Sequence, residues 1–165
     1  MTVEGKREMD KRSILRLFFR FVNRFIVVPA FQMGLGRAIS NPLAGQIMVL
    51  GIAGRKTGRI RYTPVSYARM GESVYCYQGR ETKGRWYQNL LANPRVEVLL
   101  PAGRFSGRGE EVFDNAEKLQ AMRLLLKGSG LGRSMYGFDP ETASDEVVME
   151  KTSDMPVMRI KLESA

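Results

Sequence analysis

The chain contains no histidine and one cysteine, Cys76. The absence of histidine excludes His-dependent acid–base pairs and the Ser–His and Cys–His nucleophile systems. A single cysteine cannot form an intramolecular disulfide, although it is compatible with a reducing cytosol. Together the two absences exclude nearly every zinc site. Only oxygen-ligand metal sites remain, and no acidic cluster has a suitable spacing, so no metal is predicted.

Acidic residues are missing from a long stretch of the chain. Between Lys11 and Gly71 there is no Asp or Glu, whereas eleven Lys or Arg residues occur there, and the net charge of the 165 residues is +9. The acids gather late, with Glu141, Asp145, Glu146, Glu150 and Asp154 in one segment. A length of this order predicts a single domain over residues 1–165, and the charge asymmetry predicts one face that binds an anion.

No hydrophobic run is long enough to span a bilayer. Residues 7–28 predict an amphipathic helix in which Arg12, Arg16, Arg20 and Arg24 form one stripe and phenylalanines cover the other side. Pro29 is expected to end this helix. The first hypothesis is a terminal helix that packs on the domain. The second is peripheral contact with an anionic membrane, with phenylalanines buried and arginines at the headgroups.

Short strand patterns dominate residues 46–163. They occur at 46–53, 59–69, 73–79, 95–101, 104–113 and 156–163, and helical patterns occur at 86–94 and 115–127. About six strands joined mostly by short turns predict an α+β, mainly β fold, an antiparallel barrel with peripheral helices. This barrel is expected to form the core of the domain.

Two cationic motifs stand out. GRKTGRIRYTP (54–64) places four cations within eight positions, and it is expected to be a hairpin turn bent at Thr57-Gly58. A turn with Lys and Arg on its rim can also hold a phosphate or carboxylate. In GRWYQNLLANP (84–94), Trp86 is either a core aromatic or one wall of a site for a planar ligand. The aromatics follow no RNA-binding spacing, so no nucleic-acid partner is expected.

GRKTGRIRYTPVSY and GRWYQNLLANPRVEV, in this order, resemble the deazaflavin-dependent nitroreductase family. The resemblance covers roughly residues 46–113, and more loosely PVMRIKL at 156–162. It implies a split β-barrel similar to FMN-binding proteins, and an oxidoreductase that uses the deazaflavin coenzyme F-420, with FMN as the alternative cofactor. The expected reaction is hydride transfer from the reduced coenzyme to a small electrophile, namely a quinone, enone or nitroaromatic.

The resemblance also implies residue roles. Arg55, Lys56 and Thr57 would hold the coenzyme's phosphate and acidic tail. The strand beside it would be lined by Arg61, Tyr62, Thr63, Pro64, Val65 and Ser66. Further coenzyme contacts would come from Cys76, Tyr77, Gln78, Arg85, Trp86, Tyr87 and Asn89. Gln78 stands where family members carry a phosphate-binding lysine, and Arg80 and Lys83 are the candidates to supply that charge.

A hydride-donating coenzyme needs no catalytic His or Cys, because the protein's task is to align the donor with the acceptor and exclude water. A hydroxyl near the acceptor oxygen could polarise it, and Tyr136, Ser66 and Tyr67 are the candidates. The expected location is the cytoplasm or the inner face of the cell membrane. The alternatives are an FMN-binding oxidoreductase and a non-catalytic module that binds a lipid or fatty acid.

Overall fold

The structure is a computed structural model that describes residues 18, 21–42, 45–79, 84–130 and 136–163. Within these residues, seven strands form one antiparallel sheet in the order β2-β1-β5-β6-β7-β4-β3. The strands are β1 Ile47–Ala53, β2 Ile60–Ser66, β3 Ala68–Met70, β4 Ser73–Tyr77, β5 Arg95–Leu100, β6 Gly103–Glu111 and β7 Val157–Leu162. The helices are α1 Val28–Gln32, α2 Gly36–Ile39, α3 Arg85–Ala92, α4 Asn115–Lys127 and α5 Asp145–Lys151.

The sheet closes on itself at Tyr67. Ser66 is the last residue of β2 and pairs with Ile47 of β1, whereas Ala68 begins β3 and pairs with Tyr75 of β4. The Tyr67 backbone N–H donates to the Gln46 carbonyl at 3.1 Å. Because one residue separates the two edge strands, the opposite edges of the sheet meet there, and β2 also contacts β4. The antiparallel, mainly β barrel is confirmed, and the strand predicted at 59–69 is two strands.

The two faces of the sheet bury different cores. Inside the barrel lie alternate residues of β1, β4, β5 and β7, together with Tyr87 and Leu90 of α3. Outside, α4 and α5 cover β4 and β7 with a cluster that includes Met122, Leu125, Leu126 and Val148. The period-two alternation of each strand therefore separates the inner from the outer core.

The N-terminal helix packs on the outer face of β1 and β5. Val27, Val28 and Phe31 form a buried cluster with Val49 and Leu99. This contact agrees with the hypothesis that the helix docks on the domain. Residues 7–17, 19 and 20 of the predicted helix, with Arg12, Arg16 and Arg20, lie outside the described residues.

The expectation that Pro29 ends this helix is wrong. A π-helical turn at Asn23–Val27 precedes α1, and Pro29 lies at the start of α1, which continues to Gln32. The Val28 N–H donates to the Asn23 carbonyl five residues earlier. A proline cannot donate to the carbonyl four residues before it and collides with that group, and a widened turn accommodates both effects.

The C-terminal acidic segment contains a helix that the strand and helix patterns missed. Ser144 caps α5, since its hydroxyl accepts from the Val147 N–H at 3.4 Å, and Asp145 and Glu146 occupy the first turn. Acidic residues are favourable at this end of a helix because they face its positive dipole end. A serine followed by two acids was therefore the sequence signal for this helix.

Candidate functional site

The GRKTG segment forms the hairpin between β1 and β2. Its turn is closed by the Gly54 N–H donating to the Arg59 carbonyl at 2.9 Å, and by the Gly58 N–H donating to the Gly54 carbonyl at 2.7 Å. Gly58 has a φ of +66°, which is the left-handed region that favours glycine. Arg55, Lys56 and Thr57 are exposed on this turn.

Helix α3 holds the hairpin in place. The Arg55 backbone N–H donates to the Asn89 side-chain oxygen at 3.2 Å, and the Asn93 side chain donates to the Ala53 carbonyl at 3.2 Å. Asn89 is only 8% exposed. These two bonds tie the GRKTG and WYQNLLANP motifs together, which gives a physical reason for their joint occurrence.

The hairpin carries an unneutralised positive charge. Arg55, Lys56, Arg59 and Arg61 are exposed, and among the residues that the structure describes none of their side chains forms an ion pair or donates a hydrogen bond. The first turn of α3 has no side-chain cap, so its backbone N–H groups are also available. This donor set suits an anion with several oxygen atoms.

Strand β2 presents its predicted site residues on two faces. Arg61, Thr63 and Val65 pair with Ile52, Leu50 and Met48, whose side chains are inside the barrel. The side chains of Tyr62, Pro64 and Ser66 therefore lie on the outer face. A groove of about 530 Å³ runs between this strand and the N-terminal helix, lined by Asn23, Arg24, Val28 and residues 60–64. Sequence reasoning did not place Asn23 and Arg24 in the same groove as β2, because the contact joins distant parts of the chain.

The predicted residues at the end of β4 diverge. Cys76 is fully buried inside the barrel, and this burial raises the pKa of its thiol. Tyr77 lies on the opposite face, packed against the outer core. Gln78 has a buried side-chain oxygen without a hydrogen-bond partner in the described part of the chain. A Cβ atom on Gly84 would lie 2.1 Å from that oxygen, so Gln78 is packed directly beneath the start of α3. Arg80 and Lys83 lie outside the described residues.

The α3 residues have distinct surroundings. Arg85 is exposed, whereas Trp86 is half-buried against the inner core. Tyr87 is buried and donates to the Glu111 carboxylate at 2.7 Å. Burial and then this carboxylate raise the pKa of Tyr87 to about 12. Tyr87 and Asn89 thus contribute to packing and bracing, and Arg85 and Trp86 remain accessible.

The hydroxyl candidates adjoin a second cavity. Tyr136 Oη lies 2.8 Å from Ser129 Oγ and 3.0 Å from Tyr77 Oη, and Ser129 Oγ donates to the Leu125 carbonyl at 2.8 Å. Because that carbonyl can only accept, the Tyr136 hydroxyl donates to Ser129 and the Tyr77 hydroxyl donates to Tyr136. Tyr67 lines a cavity of about 420 Å³ with Gly128 and Gly130. Ser66 is beside it, on the order of 20 Å along β2 from the hairpin.

Comparisons with known proteins agree with this architecture. A conserved hypothetical protein from Mycobacterium tuberculosis shares the fold with a TM-score of 0.54 and 18% identity, over 73% of this chain and 75% of its own. An F420-H2 dependent reductase shares it with a TM-score of 0.52 and 19% identity, over 73% of this chain and 98% of its own. No curated protein matches the chain.

The family comparison is more specific. The model of the F420H(2)-dependent quinone reductase family matches residues 25–128, which is more than half of the chain and includes both cationic motifs. The description of this family confirms three predictions from the sequence: an oxidoreductase, the deazaflavin coenzyme and a small-molecule electrophile as substrate. The chain belongs to the F420H(2)-dependent quinone reductase family.

Proposed function

We propose that this chain reduces quinones and related planar electrophiles, and that its cationic hairpin holds the anionic part of the deazaflavin coenzyme. The observation that carries the proposal is the hairpin itself, which is braced by Asn89 and Asn93 and presents cations with no carboxylate partner in the described part of the chain. Cationic side chains on a braced turn that are not already in ion pairs need little rearrangement when an anion binds, and this favours binding.

The donor chemistry of this end of the barrel fits such a coenzyme. Arg55, Lys56 and Thr57 would bind the phosphate and acidic tail, Arg61 and Arg24 would line the groove beside them, and Trp86 would offer a flat face. When bound, the coenzyme supplies a hydride. The protein's residues supply orientation, a site shielded from water, and hydrogen bonds to the acceptor oxygen.

Tyr67 is a better candidate than Tyr136 for that last role. The Tyr136 hydroxyl is committed to Ser129, whereas the Tyr67 hydroxyl has no partner among the described residues and borders a cavity. Burial raises the pKa of Tyr67, so its hydroxyl stays protonated at neutral pH and can donate to an oxygen that gains negative charge.

Fluorescence titration with the deazaflavin coenzyme tests the hairpin assignment. Lys56→Ala should weaken binding by about 1.5–3 kcal/mol, or roughly 10- to 150-fold, because it removes a charged hydrogen-bond donor. Lys151→Ala changes an exposed lysine at the end of α5 and is the matched control. The same titrations are repeated with FMN as the ligand. Equal affinity of Lys56→Ala and the unchanged chain would refute the assignment, and stronger binding of FMN would favour the alternative cofactor.

We also propose that the N-terminal helix makes a peripheral contact with the inner face of the cell membrane. Phe18, Phe21 and Phe25 are 60%, 58% and 58% exposed, and the Arg24 guanidinium lies over the Phe25 ring. Exposed aromatics next to cations are typical of helices that lie at a headgroup surface. Among the described residues, no helix has the length and hydrophobicity to cross a bilayer.

Liposome flotation with anionic vesicles tests this contact. The double substitution Phe21→Ser with Phe25→Ser should release the protein into the soluble fraction. Phe113→Ser removes an aromatic that is 81% exposed elsewhere, and it should leave flotation unchanged. If all three proteins float equally, or none floats, the membrane proposal is refuted.

A further inference from the structure

The cavity beside Tyr67 has the size and the fixed walls of a small-molecule site. Its volume of about 420 Å³ lies within the range of ligand pockets, which is roughly 300–1,000 Å³. Its described lining residues come from four separate parts of the chain: Ser40, Asn41, Pro42, Gln46, Tyr67, Pro101, Lys127, Gly128 and Gly130. None of these positions except Tyr67 was singled out from the sequence.

Two sets of contacts hold the Gly128–Gly130 wall. The Gln46 N–H donates to the Gly128 carbonyl at 2.8 Å, which ties the end of α4 to the start of β1. Ser129, between the two glycines, donates to Leu125 and accepts from Tyr136, which is held in turn by Tyr77. The hydrogen-bonded hydroxyls of Tyr77, Tyr136 and Ser129 therefore support this wall. A preformed wall reduces the cost of ordering when a ligand enters.

Lys127 and Tyr67 place two hydrogen-bond donors at this cavity. Among its described lining residues Lys127 is the only charged one, and it is exposed and forms no ion pair with another described residue. The Tyr67 hydroxyl is a second donor without a partner in the described residues. The Tyr67 ring also packs on the inner core, so the cavity adjoins the barrel at the point where its two edges meet.

We propose that this cavity receives the electron acceptor, and that Lys127 gives it a preference for quinones that carry an anionic substituent. The proposal deepens the proposed function and rests on it. A quinone that gains a hydride becomes a hydroquinone monoanion, which takes up one proton from water to complete the reduction. Tyr67 and Lys127 both stabilise the oxyanion form, and Lys127 also pairs with a fixed anionic group on the acceptor.

Binding to the coenzyme-free protein tests the preference without any turnover. The probes are 1,4-naphthoquinone and its 2-sulfonate, titrated into the ¹⁵N-labelled full chain and followed by amide chemical shifts. The sulfonate should bind about three- to fivefold more tightly than the neutral quinone, which is the scale of one partly exposed ion pair. The largest shifts should fall on Gln46, Tyr67, Gly128 and Gly130.

Variants separate this site from the cationic hairpin. Lys127→Ala should bring the two affinities within a factor of about 1.5 of each other, and Lys127→Glu should reverse the preference. Lys151→Ala removes the same charge at the end of another helix, α5, and should keep the preference for the sulfonate. Gln46→Trp, which fills the cavity from an exposed position, should abolish binding of both probes while the thermal midpoint stays unchanged.

Some results would overturn the proposal. Loss of the preference in Lys56→Ala, with Lys127→Ala unaffected, would place the sulfonate at the hairpin. Unchanged binding in Gln46→Trp would place both quinones elsewhere. A deazaflavin titration of the same variants separates the two hypotheses, because Lys127→Ala should bind the coenzyme normally. Failure of the unchanged chain to bind the coenzyme would refute the proposed function, whatever the quinone result.

Discussion

At the scale of single residues, Asn89 braces the cationic hairpin. The family resemblance implies that Asn89 contacts the coenzyme. Its side-chain oxygen instead accepts from the Arg55 N–H, and the residue is almost completely buried. Because Asn89 fixes the backbone N–H of Arg55, its effect on a bound ligand passes through the hairpin. Its geometry therefore supports a bracing role.

Asn89→Ala should lower both stability and coenzyme affinity. The substitution leaves a partly buried N–H without an acceptor, which costs about 1–2 kcal/mol in the free energy of unfolding. Coenzyme binding should weaken about tenfold because the hairpin must then be ordered during binding. Urea unfolding and fluorescence titration measure the two effects. Leu91→Ala, at an exposed position of the same helix, is the control and should change neither. A loss of stability without any loss of affinity would separate the brace from the binding site.

The sequence could identify the two motifs but not the direction of each side chain. GRKTG is predictable as a turn because Gly58 supplies a left-handed φ and the cations cluster within a few residues. The consecutive Cys76, Tyr77 and Gln78, in contrast, enter three different surroundings. The face that each residue occupies depends on strand register, which is set by partners far away in the sequence.

At the scale of elements, local patterns predicted the existence of strands better than their boundaries. The helix predicted at residues 115–127 is α4, since Asp114 caps it through the Glu117 N–H at 2.8 Å and Gly128 follows its end. The break at Tyr67 was missed because both halves of 59–69 are extended and only their pairing differs. Pro29 does not end the helix as its sequence predicts, because a π-helical turn lets the helix continue.

One arginine adds hydrogen bonds to the buried packing that attaches helix α5. Arg123 of α4 donates to the carbonyl of Pro140 at 3.0 Å and to the carbonyl of Ala143 at 2.8 Å, and its Nε donates to Asp145 at 3.0 Å. One guanidinium thus binds both the segment that leads into α5 and the first residue of that helix. The planar fork of arginine makes several such bonds from one side chain, which lysine cannot reproduce.

Arg123→Ala should loosen α5 selectively. We expect a loss of about 2–3 kcal/mol in unfolding free energy, because several charged hydrogen bonds disappear together. Amides of residues 145–151 should exchange with solvent at least about tenfold faster, while those of β1 and β5 keep their protection. Hydrogen exchange measured by NMR checks this pattern. Arg108→Ala is the control, at an exposed position that forms no ion pair within the residues that the structure describes. Uniform acceleration across the sheet would mean that Arg123 supports the whole fold instead.

At the scale of the whole molecule, the composition determines how stability responds to pH. Histidine, the side chain that normally titrates near neutrality, is absent, and burial raises the pKa of the single cysteine. Five tyrosines have raised pKa values: Tyr62, Tyr67, Tyr75, Tyr77 and Tyr87. Desolvation is the leading cause for all but Tyr62, for which the hydrogen bond to Glu97 comes first. The native state therefore retains its tyrosine protons at pH values where an unfolded chain releases them.

The free energy of unfolding should consequently be level between about pH 6 and 8. It should begin to fall above about pH 8.5, where the Cys76 thiol of the unfolded chain ionises, and should fall more steeply above about pH 10, where unfolded tyrosines ionise. In that range the unfolded state binds fewer protons than the native state, so stability decreases as pH rises, and it continues to decrease up to the native pKa of Tyr87, at about 12. Each such tyrosine can contribute up to about 1.4 kcal/mol per pH unit. Urea unfolding at pH 6, 7, 8, 9, 10 and 11 measures the profile, and Tyr87→Phe should flatten its alkaline part. A slope between pH 6 and 8 that survives in Tyr87→Phe would contradict the explanation, because it would require a titrating side chain that the composition does not supply.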